Sequence, residues 1–205
     1  MDIYAIRELP VEPNSIQVEL AWHRKSSLLA VGAYSEERGG YVRVIDTSLG
    51  DGLGLEEALP IPPHPTAQVS SLCWHPLQTL LVVGWENGEI YLYDHEETKC
   101  MRIEADASHQ SAVALIKWST FGRRLITSDK TGSVIGWKLE KEKNLAVIFH
   151  HELKDELRGL VFCSSGAGQG SETPENSDSG TLYSLHFFSG LLGGFMYPVS
   201  RVHFQ

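Results

Sequence analysis

Three tryptophans, Trp22, Trp74 and Trp118, set the register of an internal repeat, and that repeat leaves the chain few folds to adopt. Each closes a short alternating stretch, at 18–22, 69–74 and 113–118. A polar turn follows each time: His23 to Ser27, His75 to Gln78 with Pro76, and Ser119 to Arg124 with Gly122. A second apolar run comes next, at 28–31, 80–83 and 125–127. A small residue (Gly32, Gly84, Ser128) then falls ten positions after each tryptophan. The second and third copies stay in step further, with Gly88 and Gly132 fourteen positions past and Tyr93 and Trp137 nineteen positions past. The first copy reaches its turn late, through 35–40, before the run 41–46, and a four-residue insertion in a hairpin accounts for the delay.

Each copy reads as strand, turn, strand, glycine-bearing hairpin, strand. Alternation places every second side chain on one face, and glycine supplies the positive φ of a tight hairpin. The second and third tryptophans are 44 positions apart, the length of a four-stranded propeller blade at about 40–45 residues. An antiparallel sandwich with evenly spaced strands is the alternative. It gives no reason for tryptophan, small residue, glycine and aromatic to recur in phase. The expected fold is all-β: a partial WD40-type β-propeller of about four blades.

In the expected division, residues 1–14 form an N-terminal strand or closure segment and 15–66 the first blade with a linker. The second blade takes 67–108, the third 109–152, and a divergent fourth 153–205, split by a flexible loop over 164–180. In that fourth copy, 157–162 reads as the first strand, and 182–188 and 195–197 as the others, around a turn at Gly193 and Gly194. Segment 47–66 holds Gly50, Gly52, Gly54 and the prolines 60, 62, 63 and 65. It reads as the outer strand of the first blade and the crossing to the second, because an edge strand tolerates proline.

The run Ser71-Leu72-Cys73-Trp74-His75-Pro76, followed by Val83-Gly84-Trp85-Glu86-Asn87-Gly88-Glu89, resembles the second blade of the large WD40-plus-helical-repeat subunits of intraflagellar transport complex A. The stretches Leu115 to Leu139 and Leu157 to Phe162 fit the N-terminal propeller portion of that family in the same order. The resemblance implies a non-catalytic scaffold that binds other complex A subunits and ciliary cargo. It further implies a role in retrograde ciliary transport, cilium assembly and delivery of membrane receptors to cilia, at the cilium, basal body and cytoplasm. Family members carry two N-terminal propellers and a helical-repeat tail, and their propellers close with roughly seven blades. This chain ends at Gln205, so a fragment, short isoform or truncated product is expected. An open arc would leave two blade faces bare, each on the order of several hundred Å² of apolar surface, and self-association is expected of it.

The usual WD40 network joins a histidine, a serine or threonine, a turn aspartate and a tryptophan. Here the position before the hairpin glycine holds Asn87 or Thr131, and the Trp-Asp pair becomes Tyr93-Asp94 or Trp137-Lys138. His109 supplies the histidine of the third blade, but its aspartate is missing from that position. Packing, not a polar network, is therefore expected to hold these blades.

Charge narrows the partners. Seventeen basic residues stand against 26 acidic ones, for a formal charge of −9. Phosphate backbones repel such a surface and no Lys/Arg block offsets it, which argues against nucleic acid. The chain opens without a basic, then apolar, secretory segment, and runs such as 28–34 and 80–85 are far too short to span a bilayer, so no direct membrane insertion is expected. Cys73, Cys100 and Cys163 are widely spaced with no Cys-x-x-Cys pair. They read as buried or idle thiols of a protein made in a reducing cytosol.

Motifs for chemistry are weak. No Gly-x-Ser-x-Gly elbow occurs. His151-Glu152-Leu153-Lys154-Asp155 begins like the zinc signature His-Glu-x-x-His but ends in aspartate, and reads as a polar loop entering the fourth blade. Gly166-Ala167-Gly168-Gln169-Gly170 lacks both phosphate-loop spacing and the lysine, and reads as part of the insert. His75 and His109 read as turn residues, and His150 and His151 cannot face one point on a strand. Trp137 reads as blade packing, whereas Trp85, at a hairpin shoulder, is open between packing and partner binding. Asp94-His95-Glu96-Glu97 reads as a solvated loop face. No catalytic, cofactor-binding or metal-binding residue is expected. The competing function is a generic WD40 adaptor in a ubiquitin ligase or vesicle coat, and a hydrolase or metal enzyme comes third.

Overall fold

The computed structural model describes residues 14–49, 61–103, 108–164, 180–185 and 198–203. Within them the chain is built from strands: β1 (Ser15–Trp22), β2 (Leu28–Ser35), β3 (Gly39–Asp46), β4 (Val69–Trp74), β5 (Leu80–Trp85), β6 (Ile90–Asp94) and β7 (Lys99–Arg102). They continue as β8 (Val113–Trp118), β9 (Arg124–Asp129), β10 (Ser133–Leu139), β11 (Leu145–Glu152), β12 (Leu160–Ser164), β13 (Gly180–Leu185) and β14 (Pro198–His203). A short 3-10 turn, Thr47–Leu49, follows β3. The strands form four antiparallel meanders in sequence order: β1 to β3, β4 to β7, β8 to β11, and β12 to β14.

The sheets stack through their first strands. β4 packs on β1 and β2, and β8 packs on β4 and β5. The first strand of each sheet therefore lies innermost, and β11, largely exposed, lies outermost. That is the radial arrangement of propeller blades. Apolar cores fill the gaps between blades rather than one central volume. The first gap holds Val42, Ile61, Val69, Trp74 and Trp85, the second Val82, Val113, Trp118 and Ile135, and the third Ile126, Leu157 and Leu160. A strand sandwiched between two gaps has no polar face, which is why β5 reads as a continuous apolar run instead of an alternation.

Trp22, Trp74 and Trp118 occupy the same place in three sheets, pairing across to Leu29, Leu81 and Leu125. Each inner strand also carries a register shift at the same point, between Gln17 and Glu19, Val69 and Ser71, and Val113 and Leu115. A bulge there bends the strand and increases its twist. The small residue ten positions on has a packing cause. A Cβ built on Gly32 would lie 2.8 Å from Cγ1 of Val69, and one on Gly84 2.7 Å from Cγ1 of Val113. The next blade presses a valine onto each glycine, so neighbouring sheets approach to near backbone contact. The hairpin glycines Gly39, Gly88 and Gly132 all have positive φ, and a Cβ on Gly39 or Gly88 would strike the carbonyl oxygen of His64 or His109.

The four-residue delay in the first copy lengthens its hairpin: β2 and β3 pair out to Ser35 with Gly39, whereas β5 and β6 stop at Gly84 with Ile90. Two expectations are corrected. His151 and Glu152 end β11, paired to Val134 and Ser133, and are not in a loop. Asp94 is buried, although Glu96 and Glu97 of the same stretch are exposed. In the fourth sheet β13 overlaps the expected second strand, and the strand expected over 195–197 lies outside the described residues. Residues 1–13, 50–60, 165–179 and 186–197 lie outside the described residues, and with them most of the closure segment, the outer strand of the first blade, the glycine-rich loop and the Gly193-Gly194 turn.

Candidate functional site

The third blade contains a closed polar relay. Trp137 on β10 donates its indole N–H to Oγ1 of Thr127 on β9 at 2.8 Å, and that hydroxyl lies 2.8 Å from Nε2 of His109. With Thr127 already accepting from the indole, its own O–H points to His109 Nε2. The imidazole proton then sits on Nδ1, 3.4 Å from a carboxylate oxygen of Asp129. Asp129 also accepts from the backbone N–H groups of Thr131 (2.9 Å) and Ser133 (3.0 Å) and from the Thr131 hydroxyl (2.7 Å). This corrects the expectation that the network lacks its acid. The aspartate lies two residues earlier than expected, at the end of β9, where Ser128-Asp129-Lys130-Thr131-Gly132 carried the signal.

The relay has the order acid, imidazole, hydroxyl found in hydrolases, but none of its members is open to solvent. His109, Thr127 and Asp129 are all buried, and the hydroxyl proton is already committed. Burial holds the His109 imidazole below its ordinary range, against the pull of Asp129. Burial raises Asp129, but hydrogen bonds from Thr131 and Ser133 outweigh it and keep the carboxyl low. The pair is neutral histidine and ionised aspartate near pH 7, a brace and not a nucleophile.

The second blade fills the same register with apolar residues. Val83, Trp85 and Tyr93 stand where Thr127, Asp129 and Trp137 stand in the third. Trp85 is wholly buried, its ring 5.3 Å from His64 and close against Gly40. The open reading of Trp85 is thereby decided for packing, and Trp137 packs as expected. Cys73 and Cys100 are free and half-buried. Among the described residues no three His, Cys, Asp or Glu side chains converge as a metal site.

A second device joins blade to blade. His23 and His75 each follow the tryptophan of an inner strand. His75 Nδ1 accepts the backbone N–H groups of Leu77 (3.1 Å) and Gln78 (2.9 Å), so Nε2 carries the proton and donates it to Gly122 O at 3.0 Å, in the next blade's turn. His23 repeats this one blade earlier, accepting from Ser26 N at 2.9 Å and donating to Gln78 O at 3.1 Å. Its edge stacks on Trp74 as that of His75 stacks on Trp118. The third copy has Ser119 instead, which caps its own turn by accepting from Arg124 N. On the outer hairpins, Lys143 crosses between blades to the carboxylate of Asp94, with Glu97 at 3.4 Å and Glu96 at 3.8 Å.

The His75 staple is acid-sensitive. Burial pulls its imidazole down from 6.5 to about 4, and a second proton on Nδ1 would face two N–H donors. The unfolded chain therefore takes up the proton first. Stability is full above about pH 6.5 and is lost as pH falls toward about 4. The melting temperature should fall between pH 7 and pH 4.5, and His75→Gln should flatten the slope. Equal slopes for the two proteins would show that His75 is not the source.

The three turns stitched by these histidines, 23–27, 75–79 and 119–123, make a continuous ridge on one end of the arc. The hairpins after β6 and β10 reach the same end, since His95 N bonds Thr79 O and Leu139 N bonds Arg123 O. Comparison with known proteins agrees with this architecture: a family model described as the IFT140 first β-propeller matches residues 7–188. The chain belongs to that family. Its blades, in the IFT140 first-propeller assignment, include the whole tryptophan repeat and both interblade histidines. WD repeat-containing protein 55 homolog from Aedes aegypti is 28% identical over 75 residues, covering 37% of this chain. The match spans 16% of that relative's length. The Trp-His staple was visible in sequence as a doublet recurring at 22–23 and 74–75, yet nothing there revealed its acceptor.

Proposed function

We propose that this IFT140-type propeller serves as a non-catalytic, protein-binding scaffold of intraflagellar transport complex A. It supports retrograde ciliary transport, cilium assembly and delivery of membrane receptors to cilia. The observation that carries this reading is the family match over 7–188, which spans the tryptophan repeat. The relay of the third blade supports the non-catalytic part, because its acid, imidazole and hydroxyl are all buried and the hydroxyl is already engaged by Trp137 and His109. In this reading the blades divide at 15–66, 67–108, 109–152 and 153–205, and the protein works at the cilium, basal body and cytoplasm. Its partners are other complex A subunits and ciliary cargo, with no nucleic acid and no membrane insertion.

A short match to a WD repeat protein is equally compatible with a second reading, a generic WD40 adaptor outside cilia. Tagged protein recovered from ciliated cells separates the two. Enrichment of complex A subunits is the expected result. Enrichment of ubiquitin-ligase or coat subunits with complex A absent would replace the first reading by the second.

A further inference from the structure

The ridge of inner turns differs in chemistry from the rest of the molecule. Its fifteen residues, 23–27, 75–79 and 119–123, contain Arg24, Lys25 and Arg123 and no aspartate or glutamate, in a chain of formal charge −9. Three positions after each tryptophan the side chain points outward. In the first turn it is Lys25, exposed. In the next two it is Leu77 and Phe121, each 46% exposed although large and apolar. Among the described residues no ion pair engages Arg24, Lys25 or Arg123.

The ridge is also stiff. His23 ties the first turn to the second at Gln78 O, and His75 ties the second to the third at Gly122 O. Leu77 and Phe121 flank these tie points, so their placement costs little ordering entropy when a partner arrives. Farther from the axis the excess of cations ends. The hairpin after β6 exposes Glu96 and Glu97, whereas that after β10, Glu140-Lys141-Glu142-Lys143, is balanced in charge.

We propose that the ridge Arg24–Lys25, Leu77, Phe121–Arg123 is a docking strip for an acidic amphipathic peptide segment of a partner protein. Leu77 and Phe121 receive the segment's apolar side chains, and the three cations meet its carboxylates. This rests on the scaffold reading and names the kind of partner one face takes. An anionic bilayer would also be drawn to cations beside a leucine and a phenylalanine, but a flat bilayer must meet the exposed Glu96 and Glu97 of the outer hairpin after β6 as well. A peptide lying along the inner turns avoids them. Charge complementarity therefore favours the peptide.

The test titrates the full chain into a fluorescein-labelled peptide with leucine and phenylalanine at every third or fourth position and glutamate elsewhere. Its twin carries lysine in place of glutamate, and phosphatidylserine vesicles form the third arm. The glutamate peptide should bind, the lysine peptide should not, and salt should weaken binding. Leu77→Ser with Phe121→Ser should lower affinity about tenfold or more. Arg24→Glu with Lys25→Glu should reverse the preference between peptides and, being on exposed side chains, leaves the core intact if the first variant melts early. Equal binding of both peptides, wild-type affinity in both variants, or capture by vesicles without peptide binding overturns the proposal. A Leu77→Ser, Phe121→Ser chain that still recovers complex A subunits while the wild type fails to bind the peptide would remove this strip and leave the scaffold reading standing.

Discussion

Thr127→Val should lower unfolding stability by roughly 3 kcal/mol, read as a shift of the urea midpoint at unchanged slope. Valine keeps the shape and removes the hydroxyl on which two buried groups converge. The Trp137 indole N–H loses its acceptor and the His109 Nε2 its donor, each held at 2.8 Å in the native blade. A buried polar atom left without a partner costs about 1–3 kcal/mol, and valine creates two. Thr127→Ser retains both hydrogen bonds and should lose only about 1 kcal/mol, for the missing methyl group. The neighbouring blade supplies the control. Val83 occupies the same register there beside buried Trp85 and Tyr93, so valine itself suits a blade whose other members are apolar. If Thr127→Val melts with the wild type, the relay contributes no stability.

That contrast shows what could be read from the chain and what could not. The tryptophan register was legible because a propeller repeats its geometry. The same bulge, the same cross-strand partner and the same small residue recur wherever two sheets meet, and each leaves a mark at a fixed offset. The reason for the small residue was hidden, since Val69 and Val113 lie far from Gly32 and Gly84 along the chain and meet them only after stacking. The relay is hidden in the sequence for a related reason. The usual pattern puts the aspartate just before the glycine, while Asp129 reaches its histidine from the strand end. Trp85 could not be resolved from its shoulder position, because the contact that buries it comes from Gly40 of another blade. Local pattern reports the strand; burial between blades is a property of neighbours.

Gly122→Ala should lower unfolding stability by about 3 kcal/mol, and His75→Ala should remove the share of that damage that comes from the collision. Two costs combine at Gly122. Its φ of +77° lies in the left-handed region, where a non-glycine residue loses about 1–2 kcal/mol. The added Cβ would also fall 1.8 Å from His75 Nε2, inside any permissible contact, so the imidazole must leave. When it moves, the bond to Gly122 O, the acceptance of two backbone N–H groups and the edge contact to Trp118 at 4.7 Å all weaken together. With His75 already replaced by alanine the collision is gone, and Gly122→Ala should cost only the backbone share. The two changes therefore combine to less than their separate effects, by about 1 kcal/mol or more, because both dismantle one joint between the second and third blades. Strict additivity would mean that the imidazole and the turn do not touch in solution, and the staple would have to be withdrawn as the element that locks one blade to the next.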